Sequence, residues 1–325
     1  MKYLITGITG QDGIYLTNLI LKSDNKNSIL GITRSNDRNS FFNNLRYINN
    51  EVALDNVNLV SVNLLNKNEV HNLVQSYKPN YIINLSGPSS VYDSYKNPEL
   101  SVNSINNIFE NLTSACLKLD FFPKFFQPSS SEMFKDSGGL KLTESSEFKP
   151  LSPYAKAKYQ IHSNISNMRN QYEWNISSGI LFNHESEFRK NEYLFMKIII
   201  NAIKIKKHES DKITIGSLEL VRDWSYAKDI AEAILFITNG DEGDDYVIGS
   251  GKGHTISDLV EIVFDYFDLD FTEFIHIDNK LLREGTPKII VSNPEKIKNK
   301  LGWKTKTSFH ELIEKCILFK LSALD

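Results

Sequence analysis

The chain has 325 residues, 41% of them apolar, and its 37 lysines and arginines nearly balance its 40 aspartates and glutamates, for a formal net charge of −3. This length allows one large domain or two smaller ones, and the charge balance argues against a protein that binds nucleic acid by bulk charge. Neither Cys116 nor Cys316 has a second Cys or a His at ligand spacing, which predicts free buried thiols rather than a disulfide framework or a zinc site.

A glycine-rich turn follows the first predicted strand. The strand and turn span residues 2–13, and an amphipathic helix is predicted at 14–22. Gly7, Gly10 and Gly13 let the backbone turn tightly and bring a diphosphate to the helix N-terminus. The spacing differs from the commoner G-x-G-x-x-G, and glycines that merely pack a strand against a helix are the alternative. The position between a strand and a helix favours a dinucleotide site.

The next segments continue the alternation of strands and helices. Strands are predicted at 28–33, 57–62 and 81–85, and a helix at 66–77. Arg34 follows the second strand about where a Rossmann domain reads the adenosine ribose, and an arginine there suits the 2′-phosphate of NADP. Arg34 therefore favours NADP over NAD; alternatively it is a solvated arginine in a basic stretch with Arg38. The small polar turn at 86–90 follows the fourth strand, where ligands bind in open α/β sheets, although a plain connection has the same composition.

A serine cluster and a tyrosine–lysine pair follow. A helix is predicted at 101–119, and a fifth strand at 125–128 leads into Ser129-Ser130-Ser131-Glu132. Tyr154 and Lys158 are four residues apart on the next predicted helix, so they share one face. A fixed ammonium beside a phenol favours the phenolate, and a serine hydroxyl can share the same substrate oxygen. The pair alone occurs by chance on many helices, but with the glycine turn and the serines it indicates an acid–base set.

The last part of the chain carries further polar motifs. A strand predicted at 175–182 leads to Asn183-His184-Glu185-Ser186, half of a zinc helix motif without its second histidine, so no metal is expected. Arg222 and Arg283 are candidate diphosphate clamps, with surface ion pairs as the alternative. Helices are predicted at 194–206, 227–238, 257–267 and 293–321, and strands at 213–216 and 246–248. No apolar run approaches the ~18 residues of a membrane span, so we expect a cytoplasmic chain with no membrane partner.

These elements predict an α/β fold, a Rossmann-type doubly wound parallel sheet with a smaller α/β substrate domain. The dinucleotide-binding domain is expected to comprise residues 1–182 plus about 222–250. The nucleotide-sugar-binding domain is expected to comprise about 183–221 plus 251–325.

Together the motifs resemble the extended short-chain dehydrogenase/reductase family and, within it, the GDP-mannose 4,6-dehydratases. The resemblance covers nearly the whole chain. Its most specific parts are Gln11-Asp12 inside the glycine turn, the run Asn183-His184-Glu185-Ser186, and Arg222-Asp223-Trp224. It implies NADP, a GDP-linked sugar substrate, a homodimer or homotetramer, and a 4-keto-6-deoxy hexose product used for cell-surface polysaccharide.

The resemblance also assigns roles residue by residue. The implied catalytic residues are Ser130, Glu132, Tyr154 and Lys158. The dinucleotide is expected against Gly7, Thr9, Gly10, Gln11, Asp12, Gly13, Arg34, Asn63, Leu64, Leu85, Ser86, Tyr154, Lys158, His184 and Arg189. The sugar nucleotide is expected against Ser89, Ser90, Asn183, Lys197, Gly216, Arg222 and, less securely aligned, Arg283.

The implied reaction is a closed redox cycle. Tyr154, with Lys158 and Ser130, takes the proton of the sugar 4-hydroxyl while hydride passes from C4 to NADP⁺. Glu132 then removes the C5 proton that the 4-ketone has made acidic and protonates the departing 6-hydroxyl, and the hydride returns to C6. A 4-epimerase or 4-keto reductase of the same fold, in which Glu132 would merely bond a neighbouring loop, is the alternative. A non-catalytic NADP-binding regulator is a third hypothesis, and the intact set of Ser130, Tyr154 and Lys158 argues against it.

Three departures from the family pattern affect the expected site. They are Asn63-Leu64 for the usual Asp-Leu, Pro88 and Ser90 for Gln and His, and Glu187-Phe188 for Pro-Arg. The last places an unexpected negative charge near a phosphate-binding stretch. A small Ser90 and a rigid Pro88 would leave room for a bulkier 2-substituent, which makes GDP-N-acetylglucosamine an alternative to GDP-mannose.

Overall fold

A computed structural model describes residues 1–34, 37–282 and 285–322 of the chain. Strands and helices alternate over most of it. The strands are β1 (Lys2–Thr6), β2 (Ser28–Ile32), β3 (Val57–Val60), β4 (Tyr81–Asn84), β5 (Lys124–Ser130), β6 (Ile176–Leu181), β7 (Asn183–Glu185), β8 (Ile213–Ile215), β9 (Val221–Arg222), β10 (Trp224–Tyr226), β11 (Asp245–Ile248), β12 (His254–Thr255), β13 (Ile275–Ile277) and β14 (Ile289–Ile290). The helices are α1 (Gln11–Ser23), α2 (Arg38–Ile48), α3 (Lys67–Tyr77), α4 (Val91–Lys96), α5 (Pro98–Cys116), α6 (Pro153–Tyr172), α7 (Leu194–Lys206), α8 (Ala227–Asn239), α9 (Ile256–Asp265), α10 (Glu295–Leu301) and α11 (Phe309–Ser322).

Seven parallel strands form the central sheet, in the order β11-β6-β5-β4-β1-β2-β3. The order reverses at β1, whose two neighbours are β2 and β4. Ligands of open α/β sheets bind at such a reversal, outside the carboxyl ends of the strands. The predicted Rossmann-type sheet is therefore confirmed, and its topology fixes where the site must lie.

Both faces of the sheet are covered by helices. One hydrophobic cluster contains buried residues of α1, α7, α8, α9 and α11, and a second contains those of α3, α5 and α6. A strand covered on both faces is apolar on both, which explains the near-continuous apolar run of β4. The smaller elements, β7 with β10, β8 with β13, and β12-β9-β14, form three short sheets beside the carboxyl edge.

Several element boundaries differ from the prediction. The first helix begins at Gln11 rather than at residue 14, because Gly10 already serves as its N-cap. Helices α2 and α4 were not predicted; α2 buries only Phe41 and Leu45, and α4 has only six residues. The helical region expected at 293–321 is divided into α10 and α11, since Gly302 ends α10 with a φ of 72°.

Two composition-based expectations bear on the described residues. Cys116 and Cys316 are free and buried, as predicted. Over residues 1–34, 37–282 and 285–322, no helix has the length and apolar character needed to cross a membrane.

Candidate active site

The three glycines of the first turn have three different surroundings. Gly7 has a φ of +65°, and a Cβ there would lie 2.7 Å from the Leu85 carbonyl oxygen. A Cβ on Gly13 would overlap the backbone of Ile8. Gly10 is exposed, with an ordinary φ of −75°, and lies at the start of α1. The turn therefore presses against β4 on one side and leaves an open cradle at the N-terminus of a 13-residue helix, which fits a diphosphate.

Side chains of Gln11 and Asp12 tie this turn to β7. Gln11 donates its Nε2 hydrogen to the His184 carbonyl at 3.0 Å and accepts a bond from the Ser186 hydroxyl at 2.9 Å. The Nε2 atom of His184 lies 3.1 Å from Oδ2 of Asp12. The two most specific motifs of the sequence thus hold each other in place.

The environment of His184 favours its charged form. Burial alone acts to lower the pKa of His184, but the charge of Asp12 and the hydrogen bond to it act in the opposite direction. The net result is a raised pKa. The raised pKa favours the imidazolium form, which suits an anionic ligand beside the helix N-terminus.

Residues expected around the adenosine end lie at the carboxyl ends of β2 and β3. The Gly7 amide donates to the Ile32 carbonyl at 3.0 Å, which puts the exposed Arg34 next to the glycine turn. The hydroxyls of Thr9 and Thr33 are 3.2 Å apart. Nearby, Asn63 accepts a bond from the Leu65 amide, and Leu64 is buried.

Leu85 and Ser86 continue this edge from β4. The Leu85 amide donates to the Thr6 carbonyl at 3.1 Å, and the Ser86 amide donates to the Thr6 hydroxyl at 3.0 Å. These bonds hold the two residues directly against the glycine turn.

Tyr154, Lys158 and Ser130 come together between α6 and the end of β5. The Lys158 ammonium lies 5.7 Å from the centre of the Tyr154 ring and donates to the Pro128 carbonyl at 2.9 Å. Burial raises the pKa of Tyr154 to about 12, against the lowering effect of its hydrogen bond with Ser130. Burial also lowers the pKa of Lys158 to about 8.

The pKa of Tyr154 thus lies above its ordinary value of 10 in the protein without ligands. Burial is the largest cause, because a buried phenolate has lost its hydration, and the charge of Arg189 acts in the lowering direction. Ser130, rather than Lys158, is the neighbour whose hydrogen bond lowers the pKa of Tyr154.

Glu132 follows β5 in a short 3-10 turn. Its amide donates to the Ser130 hydroxyl at 3.2 Å, and its charge lies close enough to Tyr154 to raise the pKa of that phenol. Glu132 and Arg222 both line a cleft of about 330 Å³. Glu132 thus joins the cleft, which contains the cation of Arg222, to the neighbourhood of the Tyr154 phenol.

The same cleft collects several of the residues expected to contact the sugar nucleotide. Asn183, Lys197 and Gly216 line it, and the Lys197 ammonium donates to the Thr214 carbonyl at 3.1 Å. Arg222 donates to the Val221 carbonyl at 2.7 Å. Arg283 lies outside the described residues.

The two serines after β4 have different roles. The Ser90 hydroxyl accepts a bond from the Asp93 amide at 3.1 Å and so caps α4. The Ser89 hydroxyl instead forms a 2.7 Å hydrogen bond with the hydroxyl of Tyr193, another residue of the cleft. This bond does not change the size of Ser90, so GDP-N-acetylglucosamine stays a predicted alternative to GDP-mannose.

Arg189 and Tyr193 form a stacked pair on the wall of the cleft. The Arg189 guanidinium lies 3.6 Å from the centre of the Tyr193 ring, and its Nε is 3.0 Å from Oε2 of Glu185. Burial raises the pKa of Glu185, against the lowering effect of Arg189. Tyr193 was not predicted as a site residue, because it belongs to no motif. Its position as the N-cap of α7 does not by itself indicate a role in the site.

The side chain of Glu187, expected near the phosphate-binding stretch, lies against two buried phenols instead. Its carboxylate is buried and accepts hydrogen bonds from the hydroxyls of Tyr15 and Tyr226, at 2.7 Å and 3.2 Å. Burial is the largest cause of the raised pKa of both phenols. The carboxylate therefore lies in the packing between α1 and β10 rather than at the phosphate-binding turn.

Comparison with known proteins identifies the family. A family model described as GDP-mannose 4,6 dehydratase matches residues 4–316. The chain belongs to the GDP-mannose 4,6-dehydratase family. GDP-mannose 4,6 dehydratase 2 of Arabidopsis thaliana is 32% identical over 322 residues, which cover 96% of this chain and 84% of the relative. The family recognised from the sequence motifs is confirmed.

Solved structures of low sequence identity share the fold. A UDP-glucose 4-epimerase of Thermotoga maritima with UDP-glucose superposes with a TM-score of 0.86, at 19% identity and full coverage of both chains. A dTDP-glucose 4,6-dehydratase of Bacillus anthracis in complex with NAD gives 0.84, at 20% identity, covering 99% of this chain and 97% of that one. Epimerases and dehydratases share this architecture, so the GDP-mannose 4,6-dehydratase family is distinguished from them by its site rather than by its fold.

Proposed function

We propose that the chain is a nucleotide-sugar 4,6-dehydratase that converts GDP-mannose to its 4-keto-6-deoxy form. The observation that carries this proposal is the place of Glu132. Its carboxylate is two residues beyond Ser130, within electrostatic reach of Tyr154, and lines the cleft that also contains Arg222. An epimerase needs the phenol but has no use for an acid at this position.

The dinucleotide is proposed to lie along the glycine turn and the carboxyl ends of β2, β3 and β4. The open cradle at Gly10 and the raised pKa of His184 support a diphosphate there. We assign NADP rather than NAD because Arg34 offers a guanidinium to a 2′-phosphate. When bound, this cofactor supplies a hydride acceptor that becomes a hydride donor within the same turnover.

Tyr154 is proposed to accept the proton of the sugar 4-hydroxyl, with Ser130 bonded to the same oxygen. Because burial raises the pKa of Tyr154 to about 12, the phenolate needs further stabilisation in the assembled complex. The Lys158 ammonium, 5.7 Å from the centre of the ring, and the positive charge of an oxidised nicotinamide are the two available sources.

Glu132 is proposed to take the C5 proton, which a ketone at C4 makes acidic. The same proton then joins the departing 6-hydroxyl, so one water leaves and the carboxylate is regenerated. Hydride addition at C6 and uptake of one proton at C5 then complete the product, which keeps the ketone at C4. In net they return the hydride taken from C4 and the proton that Tyr154 took from the 4-hydroxyl.

Lys197 and Arg222 are proposed to hold the diphosphate of the sugar nucleotide, because both line the cleft. The third cation of the described lining, Arg189, pairs with Glu185. The division into a dinucleotide domain (1–182 and about 222–250) and a sugar-nucleotide domain is part of this proposal. So is assembly into a homodimer or homotetramer.

Mass spectrometry of the products tests the proposed function. The purified protein is incubated with NADP⁺ and, in separate reactions, GDP-mannose or GDP-N-acetylglucosamine. Loss of one water from GDP-mannose without accumulation of NADPH is expected. An unchanged mass with a shifted retention time would establish epimerisation instead.

A further inference from the structure

Tyr193, on the lining of the cleft that also contains Glu132, forms a hydrogen bond with the Ser89 hydroxyl. The Tyr193 and Ser89 hydroxyls are 2.7 Å apart and come from different parts of the fold, the N-cap of α7 and the turn after β4. Tyr193 is half-buried and lines the cleft of about 330 Å³. The pair thus links the turn after β4 to the start of α7.

The pair keeps hydrogen-bonding capacity after its own bond is made. Each hydroxyl has one donor hydrogen and two acceptor lone pairs. When one donates to the other, the pair still has a donor hydrogen and unused lone pairs. Such a pair matches the alternating donors and acceptors of a hexose ring.

The neighbours of Tyr193 fix the ring and its distance from the reaction centre. The Arg189 guanidinium stacks 3.6 Å from the ring centre and is itself held by Glu185. The hydroxyl is also near enough to Tyr154 for its charge to act on the pKa of that phenol. A side chain stacked in this way loses little conformational entropy when a ligand binds. Almost all of the free energy of a hydrogen bond to the ligand therefore contributes to affinity.

We propose that Tyr193 is a sugar-contacting residue that determines specificity, and that its hydroxyl acts together with Ser89 to bind hexose hydroxyls other than the one at C4. This rests on the proposed function, in which Tyr154 takes the 4-hydroxyl and Glu132 serves C5 and C6. The hydroxyls left for the Ser89–Tyr193 pair are then those at C2 and C3. A purely structural bond between the two loops is the competing account.

Comparing the binding of GDP-mannose and GDP separates a hexose contact from every other effect. GDP retains the base and diphosphate contacts but has no hexose. Tyr193→Phe removes only the hydroxyl and leaves the ring under Arg189, whereas Tyr193→Leu removes both. Tyr266→Phe, at an exposed tyrosine beyond α9, is the matched control.

Titration calorimetry with the NADPH-loaded protein, which cannot oxidise the sugar, gives the two dissociation constants. We expect Tyr193→Phe to weaken the binding of GDP-mannose about tenfold and to leave the binding of GDP unchanged. A tenfold change corresponds to the loss of roughly one hydrogen bond. Ser89→Ala should do the same, and the double variant should be little worse than either, because the two hydroxyls act as one unit. Tyr193→Leu should in addition weaken NADP⁺ binding, since Arg189 loses its stacking partner.

An unchanged ratio of GDP-mannose to GDP affinity in Tyr193→Phe would overturn the proposal. If the melting temperature of that variant also falls, the Ser89–Tyr193 bond only joins the two loops. Failure of the proposed function is seen separately, as a wild-type protein that binds GDP-mannose more tightly than GDP but releases no water.

Discussion

His184 Nε2 lies 3.1 Å from Asp12 Oδ2, and this contact joins the first turn of α1 to β7. The contact crosses from the glycine turn to the segment that also supplies Asn183 to the cleft and Arg189 to its wall. A substitution of Asp12 should therefore affect the binding of both the dinucleotide and the sugar nucleotide.

Asp12→Asn should destabilise the protein in a pH-dependent manner. The folded-state pKa of His184 is raised, so the stabilisation is fully present below the unfolded value of 6.5 and is lost as pH rises through the folded value. We expect a loss of about 1.5–3 kcal/mol near pH 6, typical of a charged hydrogen bond, and a smaller loss at pH 9. Urea unfolding of both proteins at the two pH values measures it, and an equal loss at both would contradict the assignment.

Lys158→Met should stabilise the protein without ligands while abolishing its activity. Burial lowers the pKa of Lys158 from 10.5 to about 8, so the unfolded chain binds more protons between these values and stability rises with pH across that window. At pH 7 the penalty is about 3 kcal/mol, of which about 1 kcal/mol is offset by the bond to the Pro128 carbonyl.

Thermal unfolding at pH 7 and pH 10.5 checks this expectation. The gain of Lys158→Met over wild type should be about 2 kcal/mol at pH 7. At pH 10.5 it should turn into a loss below about 1 kcal/mol, because the penalty has gone and the bond to the Pro128 carbonyl is missing. Lys156→Met, at an exposed lysine of the same helix, serves as the control and should show neither effect. A destabilised Lys158→Met at pH 7 would mean that the ammonium is better solvated than its burial implies.

Gly10→Ala and Gly13→Ala should separate ligand binding from folding. At Gly10 the new Cβ would lie 3.3 Å from the Gly7 carbonyl oxygen with an ordinary φ, so the fold tolerates it, but the open cradle is reduced. We expect dinucleotide affinity to fall at least about tenfold with a loss of stability below about 1 kcal/mol. Gly13→Ala, where the Cβ overlaps Ile8, should instead lower the melting temperature strongly. Unchanged binding in Gly10→Ala would place the diphosphate elsewhere.

Arg34→Glu should reverse the proposed preference for NADP. The substitution replaces a cation for the 2′-phosphate with an acceptor for the 2′-hydroxyl of NAD. We expect the ratio of NADP to NAD affinity to drop at least about a hundredfold, whereas Arg38→Glu, at an exposed arginine of α2, should change it little. Fluorescence titration gives both constants, and the same ratio in Arg34→Glu as in wild type would contradict the NADP assignment.

Glu132→Gln should stop dehydration but leave the first half of the reaction. Removing the base at C5 should lower the rate of water loss by about 10²- to 10⁴-fold. Slow oxidation at C4 should still appear, as the absorbance of NADPH near its maximum at about 340 nm. Tyr154→Phe is the matched variant and should abolish both signals. Retained water loss in Glu132→Gln would make Glu132 a structural residue.

Local spacing predicted the parts of the fold that depend on neighbouring residues. The glycine turn, the apolar run of β4 and the start of α7 at Leu194 all follow from short-range pattern, and the structure agrees with them. The six-residue α4 has too few turns to show a period, and it depends instead on the Ser90 cap.

Long-range contacts explain what the sequence could not show. Ser89 and Tyr193 are 104 residues apart in the chain, and Tyr15 reaches Glu187 across 172 residues. The same limit applies to Tyr154, whose pKa was expected to fall beside Lys158 but is raised by burial, a quantity that no spacing reveals.

The central claim is that one hydride moves from C4 to C6 of the same sugar while water is lost. Its most direct test is incubation of the wild-type protein and NADP⁺ with GDP-mannose deuterated at C4, followed by mass spectrometry and NMR of the product. The account predicts a product lighter by one water that retains the deuterium, now at C6. A product of unchanged mass with deuterium still at C4, or deuterium found in accumulated NADPH, would contradict it.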